Sequence, residues 1–230
     1  MDRNEVAQLI DHTLLVAEAT SNDIKKLCKE AKKYGFKSVC VNSYWVKKAS
    51  KHVADSDVKV CSVVGFPLGA MSTEAKIFEA VQSVNDGASE IDMVVNVGAV
   101  KSGAWKKVSE EIYRLVKAVK DVDANVIVKV IFETCLLTDA EKVELSHISN
   151  IAGADFTKTS TGFSTGGATV KDVKLMLAEG TIPVKASGGV RTLETLMSMV
   201  DAGATRIGTS NGVTIMKEFD GVENSAVEGY

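Results

Sequence analysis

The sequence predicts an α/β fold: a single-domain (β/α)8 TIM barrel with a short N-terminal helix and a flexible C-terminal tail. Three observations carry that prediction. Short β-branched runs alternate with longer stretches of helical period along the chain. Eight such units occupy 230 residues, close to the size of about 250 typical of this barrel. An internal echo, "NDGASEID", "IAGADFTK" and "DAGATRIG", sets Gly-Ala between a helix end and a strand three times over. Gly87, Gly153 and Gly203 fit left-handed positions that stop a helix, as repeated βα units require.

In chain order, "LIDHTLL" (9–15) supplies a first strand, followed by a helix over about 21–34. "FKSVCVN" (36–42) and a helix over 44–54 make the second unit. "KVCSVVGF" (59–66) precedes a helix over 72–86, whose start is marked by "MSTEA". "EIDMVVNVG" (90–98) leads to the clearest helix, where Trp105, Val108, Ile112, Leu115, Val116 and Val119 recur at three- and four-residue spacing on one face. "NVIVKVIFE" (125–133) precedes a helix over 139–152 that starts at "LTDAE". "DFTKTS" (155–160), "IPVKASGG" (182–189) and "TRIGTS" (205–210) complete the strands. Helices follow over 169–179, over 192–202 and from near Asn211.

A doubly wound open sheet is the competing architecture. It requires a Gly-rich turn after the first strand, and "DHTLLVAEAT" offers none. No linker or low-complexity tract divides the chain. The expected organisation is a barrel domain over 1–219 and a small, acidic, aperiodic tail over 220–230.

Composition excludes several functions. A net charge of −3 without an arginine stripe gives no basis for a nucleic-acid surface. No apolar run approaches the roughly 20 residues of a membrane span, and "MDRNEVAQLIDHTLL" does not read as a signal peptide. Cys28, Cys40, Cys61 and Cys135 form no C-x-x-C pair and read as reduced thiols, so a cytoplasmic protein is expected. The three histidines lack ligand spacing, so no metal site is expected, and the absence of G-x-x-x-x-G-K-[ST] and G-x-S-x-G gives no nucleotide P-loop and no serine nucleophile elbow.

Strand alternation directs the charged residues. Lys129 shares a face with Ile127, Ile131 and Glu133, while Val126, Val128, Val130 and Phe132 form an apolar face suited to the helices. Asp92 shares its face with Val94 and Asn96. Asp92, Lys129, Lys158 and Lys185 therefore point inward from four consecutive strands and converge near the C-terminal mouth, where barrel enzymes carry out their chemistry. Three lysines in one enclosed space repel, so at least one pKa is expected well below the usual value of about 10.4. A neutral lysine amine attacks carbonyls, and Asp92 can offset charge and carry protons. The residues alone leave open which of Lys129, Lys158 and Lys185 is the nucleophile.

The loops add an anion cradle. "ASGGVRT" (186–192) and "GTSNG" (208–212) follow the seventh and eighth strands and end at helix starts, a frequent phosphate site in barrels. Gly188, Gly189 and Gly208 let backbone N–H groups approach an anion, and "STGFSTGG" (160–167), with Gly162, adds further donors. Arg191 is a possible helper.

The segments "IDHTLL" (10–15), "VCVN" (39–42), "VVGFPLG" (63–69), "EIDMVVNVG" (90–98), "VKVIFET" (128–134), "DFTKTSTGF" (155–163), "VKASGGVR" (184–191) and "RIGTSNG" (206–212) occur in one order. With them the chain resembles the deoxyribose-phosphate aldolase family of class I Schiff-base aldolases. The resemblance implies a barrel that interconverts 2-deoxy-D-ribose 5-phosphate with D-glyceraldehyde 3-phosphate and acetaldehyde, without metal or organic cofactor. It implies that Lys158 forms the Schiff base. Lys185 then eases loss of that amine's proton or moves protons, and Asp92 relays protons through water. Lys129 and Asp11 belong to the surrounding polar network, and Cys40 lies near the aldehyde pocket. Thr161, Gly188, Gly189 and Ser210 match substrate and phosphate positions. Tyr230 matches a terminal tyrosine that folds back to shuttle a proton. Some relatives carry a lysine where this chain has Phe163. The resemblance further implies a homo-oligomer, a dimer or tetramer. Another Schiff-base barrel aldolase and a phosphosugar-binding regulator without turnover are the alternative readings.

Overall fold

The computed structural model describes residues 1–222; the expected tail from 223 onward, including Tyr230, lies outside the described residues. A short helix α1 (Arg3–Leu9) precedes β1 (Ile10–Leu14), α2 (Ser21–Tyr34), β2 (Ser38–Val41), α3 (Val46–Val53), β3 (Lys59–Val64) and α4 (Thr73–Asn85). Then come β4 (Glu90–Val94), α5 (Val97–Lys101), α6 (Trp105–Val122), β5 (Ile127–Ile131), α7 (Asp139–Ile151) and β6 (Phe156–Lys158). The chain continues through α8 (Val170–Glu179), β7 (Val184–Ser187), α9 (Leu193–Asp201), β8 (Arg206–Thr209) and α10 (Gly212–Phe219). The eight strands are all parallel and close in sequence order, β8 pairing back onto β1. The open-sheet alternative is thereby excluded.

Local chemistry explains the boundaries. Thr138 caps α7 and Ser72 caps α4, each side chain accepting from a backbone N–H in the first helical turn. Gly87, Gly153 and Gly203 have φ of 106°, 81° and 106°, the left-handed geometry that stops α4, α7 and α9. Helix α5 has no counterpart in the sequence reading. It is one short turn capped by Asn96 that buries only Val100, too little for a period to register.

The core lies between barrel and helices. Val126, Val128, Val130 and Phe132 pack outward against the helix layer, joined by Ile91, Met93 and Val95 beside β4. From α6, Val108, Ile112, Leu115, Val116 and Val119 meet them. Burying each such side chain contributes about 1.5–3 kcal/mol. The opposite strand faces point into the barrel, so the fully buried Asp92 and Lys129 sit side by side in the β4–β5 register, and Lys158 faces Lys185 across β6–β7.

Candidate active site

The barrel interior holds a closed ring of ion pairs. Lys129 Nζ lies 2.5 Å from Glu90 Oε2 and 2.8 Å from Asp92 Oδ1. Lys185 Nζ lies 2.7 Å from Asp92 Oδ2 and 2.5 Å from Asp11 Oδ2. Arg206 completes the circuit, donating Nη2 to Glu90 Oε2 at 2.8 Å and its Nε to Asp11 Oδ1 at 3.1 Å. Lys158 hangs from this ring by one bond, Nζ to Asp92 Oδ2 at 2.9 Å. Thus Lys129, Lys158, Lys185 and Arg206 share Asp11, Glu90 and Asp92, leaving one more basic group than carboxylates.

At Lys129 and Lys185 the charges do not settle as crowding alone predicts. Burial disfavours the ammonium of Lys185, but Asp11 and Asp92 outweigh it and hold its pKa well above the ordinary lysine value. Burial likewise opposes Lys129, and Asp92, with Cys61 and Glu90 behind it, again raises its pKa. The anticipated fall through crowding is therefore met at neither residue, because alternation recognised Asp92 but not the two further carboxylates beside it. Burial works against ionised Asp92, yet Lys129, Lys158 and Lys185 hold its carboxyl well below the usual range. Asp11 is also lowered: Lys185 and Arg206 overcome its burial.

Above the ring opens a cavity of about 320 Å³. Lys158 alone of the three lysines lines it; it is 3% exposed, against 0% for Lys129 and Lys185. The walls include Thr161, Gly162, Phe163, Gly188, Gly189, Arg191, Gly208 and Ser210. Gly188 and Gly189 have φ of 85° and 80°, so their backbone takes a left-handed path that a side chain would strain, immediately before α9. Nothing stands within 4 Å of where a Cβ on Gly189 would be. The starts of α9 and α10 both follow cavity loops, which suits an anion. Beside the cavity, Leu15, Cys40, Cys61, Val63 and Phe66 form a small apolar cluster, and Phe66 meets Phe163 edge to face at 5.2 Å.

The sequence-predicted residues divide into two layers. Lys158, Thr161, Gly162, Gly188, Gly189, Arg191, Gly208 and Ser210 meet at the cavity. Asp92, Lys185, Lys129, Asp11 and Cys40 lie wholly buried beneath it, where they support the site and do not line it. Thr161 already donates its hydroxyl to Glu133. Among the described residues, Cys40, Cys61 and Asp92 are the one grouping of metal-ligand types. Its Asp92 oxygens are already taken by three lysine Nζ atoms, so the grouping belongs to the ion network. Sequence reasoning missed Glu90, Arg206 and Cys61, and used Glu133 only to mark a face. Glu90 stands two residues before Asp92 on the same strand face, so the alternation that selected Asp92 also pointed to it.

Fold and site together define a barrel aldolase, with a lysine at the floor of a glycine-rich mouth. The family model described as "DeoC/LacD family aldolase" matches residues 5–218, and the chain belongs to this family. It is 55% identical over 215 residues to a deoxyribose-phosphate aldolase of Carboxydothermus hydrogenoformans, covering 93% of this chain and 94% of the relative. It is 52% identical to a deoxyribose-phosphate aldolase of Lactococcus lactis, covering 96% of this chain and 99% of that one. A structure of a deoxyribose phosphate aldolase from Aeropyrum pernix, described as a unique tetrameric structure, superposes with TM-score 0.89 at 36% identity, covering 95% of this chain and 92% of that chain.

Proposed function

We propose that the protein catalyses the reversible aldol cleavage of 2-deoxy-D-ribose 5-phosphate to D-glyceraldehyde 3-phosphate and acetaldehyde, through a Schiff base on Lys158. The observation that carries this reading is the sharing of Asp92 Oδ2 by Lys158, which reaches the cavity, and Lys185, which does not. The names of the relatives support the substrate.

In the synthetic direction the Lys158 amine, without its proton, adds to the acetaldehyde carbonyl and gives a carbinolamine. Lys185, held protonated by Asp11 and Asp92, is the proton donor available to the departing hydroxyl. Water leaves and an imine remains. Loss of a methyl proton from the imine gives an enamine, whose carbon attacks the aldehyde of glyceraldehyde 3-phosphate. Hydrolysis then frees product and amine. Because Lys129 and Lys185 keep Asp92 ionised, its part is to hold Lys158 and Lys185 in place and to stabilise the cationic imine, while protons pass through water. The phosphate is received by the backbone around Gly188 and Gly189 and by Arg191, whose side chain is exposed at the mouth.

The same reading includes a homo-oligomer, which the tetrameric Aeropyrum pernix relative supports. It also includes a cytoplasmic setting, supported by four free cysteines. No helix among the described residues is long and apolar enough to cross a membrane. A retro-aldol assay coupled to consumption of glyceraldehyde 3-phosphate tests the function. Turnover in wild type and its loss in Lys158→Leu are expected; phosphosugar binding without turnover would instead identify a regulator.

A further inference from the structure

The mechanism above employs Lys158, Lys185 and Asp92 and gives Arg206 and Glu90 nothing to do. Both are buried, at 4% and 1% exposure, and neither lines the cavity. Yet without them the ring is open. Among the described residues of the barrel interior, Arg206 alone bonds directly to both Asp11 and Glu90, and Glu90 alone joins Arg206 to Lys129. We propose that Arg206 and Glu90 are positioning residues for the imine-forming step, closing the ring and setting, with opposite sign, how readily the site releases its surplus proton. The inference rests on the reading that Lys158 is the imine-forming amine.

Charge balance links the pair to Lys158. Around Lys158 the barrel supplies Asp11 from β1, Cys40 from β2 and Cys61 from β3. Glu90 and Asp92 come from β4, Lys129 from β5, Lys185 from β7 and Arg206 from β8. With the thiols neutral, four basic groups are ion-paired with three carboxylates, while buried Glu133, just after β5, is held by Thr161 and pairs with none of the four. Within a water-poor interior a unit charge one or two ion pairs away acts with little screening. Removing Arg206 leaves three basic groups on three carboxylates, and the incentive to shed a proton disappears. Removing Glu90 leaves four on two, and the incentive grows. A purely structural pair has no reason to act with opposite signs. The Arg206 guanidinium also sits 5.9 Å over the Phe156 ring of β6.

The test is borohydride trapping of acetaldehyde on the full chain, with the rate followed from pH 5 to pH 10 and the adduct mapped. Half-maximal trapping is expected to move up by about one pH unit in Arg206→Met and down by about one in Glu90→Gln, a tenfold rate change on the acid side. The double variant removes one charge of each sign and is expected within about 0.3 units of wild type. Shifts of the same sign, or no shift, overturn the proposal. Arg206→Lys and Glu90→Asp keep the charges and cover the case in which a single variant does not fold. They are expected to slow trapping severalfold without moving its half-maximum, and an undiminished rate in both overturns the proposal as well. If the wild-type adduct maps away from Lys158, the functional reading itself falls. If it maps to Lys158 without the opposed shifts, only the roles of Arg206 and Glu90 fall.

Discussion

Two of the regions in this barrel that bury lysine against carboxylate differ in what surrounds the pair. Between α4 and α6, Lys76 is fully buried, 2.8 Å from Glu111 Oε1 and 2.8 Å from the Val94 carbonyl oxygen. Glu111 Oε2 in turn accepts from the Asn96 backbone N–H at 3.1 Å. One cation meets one anion, every partner is internal, and neither residue lines the cavity. Burial, opposed by Glu111, holds the Lys76 pKa below the ordinary lysine value. Inside the barrel, four basic groups share three carboxylates, and the one with a single bond reaches a cavity. A buried lysine therefore marks a site only when the local charge is unbalanced and a substrate can reach it.

The sharpest way to break this contrast is substitution on each side. Lys158→Leu is expected to lower kcat by on the order of 10³-fold or more, with the fold retained by circular dichroism. Substantial residual turnover would move the chemistry elsewhere. Lys185→Leu is expected to cost about 10²–10⁴-fold at neutral pH and to alter the pH–rate profile. A profile of unchanged shape would separate the two lysines. On the other side, Lys76→Met leaves a buried carboxylate unpaired and is expected to cost about 3–5 kcal/mol in urea unfolding. The kcat of the folded fraction should stay within about twofold, and a large fall in kcat would erase the distinction between the regions.

Acid titration refines the comparison. The carboxyl of Asp92 lies well below its ordinary 3.8 in the folded state, whereas the unfolded chain takes up that proton near the ordinary value. The stability that depends on this ionisation is present above pH 3.8 and is lost as pH falls below it. Asp92→Asn is therefore expected to be less stable at pH 6 but to show a shallower loss between pH 4 and 2.5, read as urea midpoints. The smallest effect is expected at the rim. Phe163→Lys adds a half-exposed cation beside the proposed phosphate site and should lower KM for the phosphorylated substrate about two- to fivefold, as fits an interaction of up to roughly 1 kcal/mol.

Much of this was legible in the sequence, for identifiable reasons. Strand alternation placed Asp92 and Lys129 inside the barrel, and the apolar face of Val126, Val128, Val130 and Phe132 packs against the helices as expected. Helix stops at Gly87, Gly153 and Gly203 follow from backbone geometry that leaves a local mark. What stayed hidden depends on closure. Arg206 opens β8 and meets Asp11 of β1 only because the barrel joins its last strand to its first, 195 residues apart. The rise of the Lys129 and Lys185 pKa values also follows from partners that no local pattern brings together. Lys76 and Glu111, 35 residues apart on neighbouring helices, look like ordinary surface charges in the sequence until α4 and α6 are packed.

The contrast rests on one lysine having both the spare charge and the access. Treating the enzyme with acetaldehyde and borohydride, then mapping the modified peptide, tests that directly. The account predicts a reduced adduct on Lys158 and none on Lys76, Lys129 or Lys185. An adduct on Lys129 or Lys185 with Lys158 unmodified would contradict it.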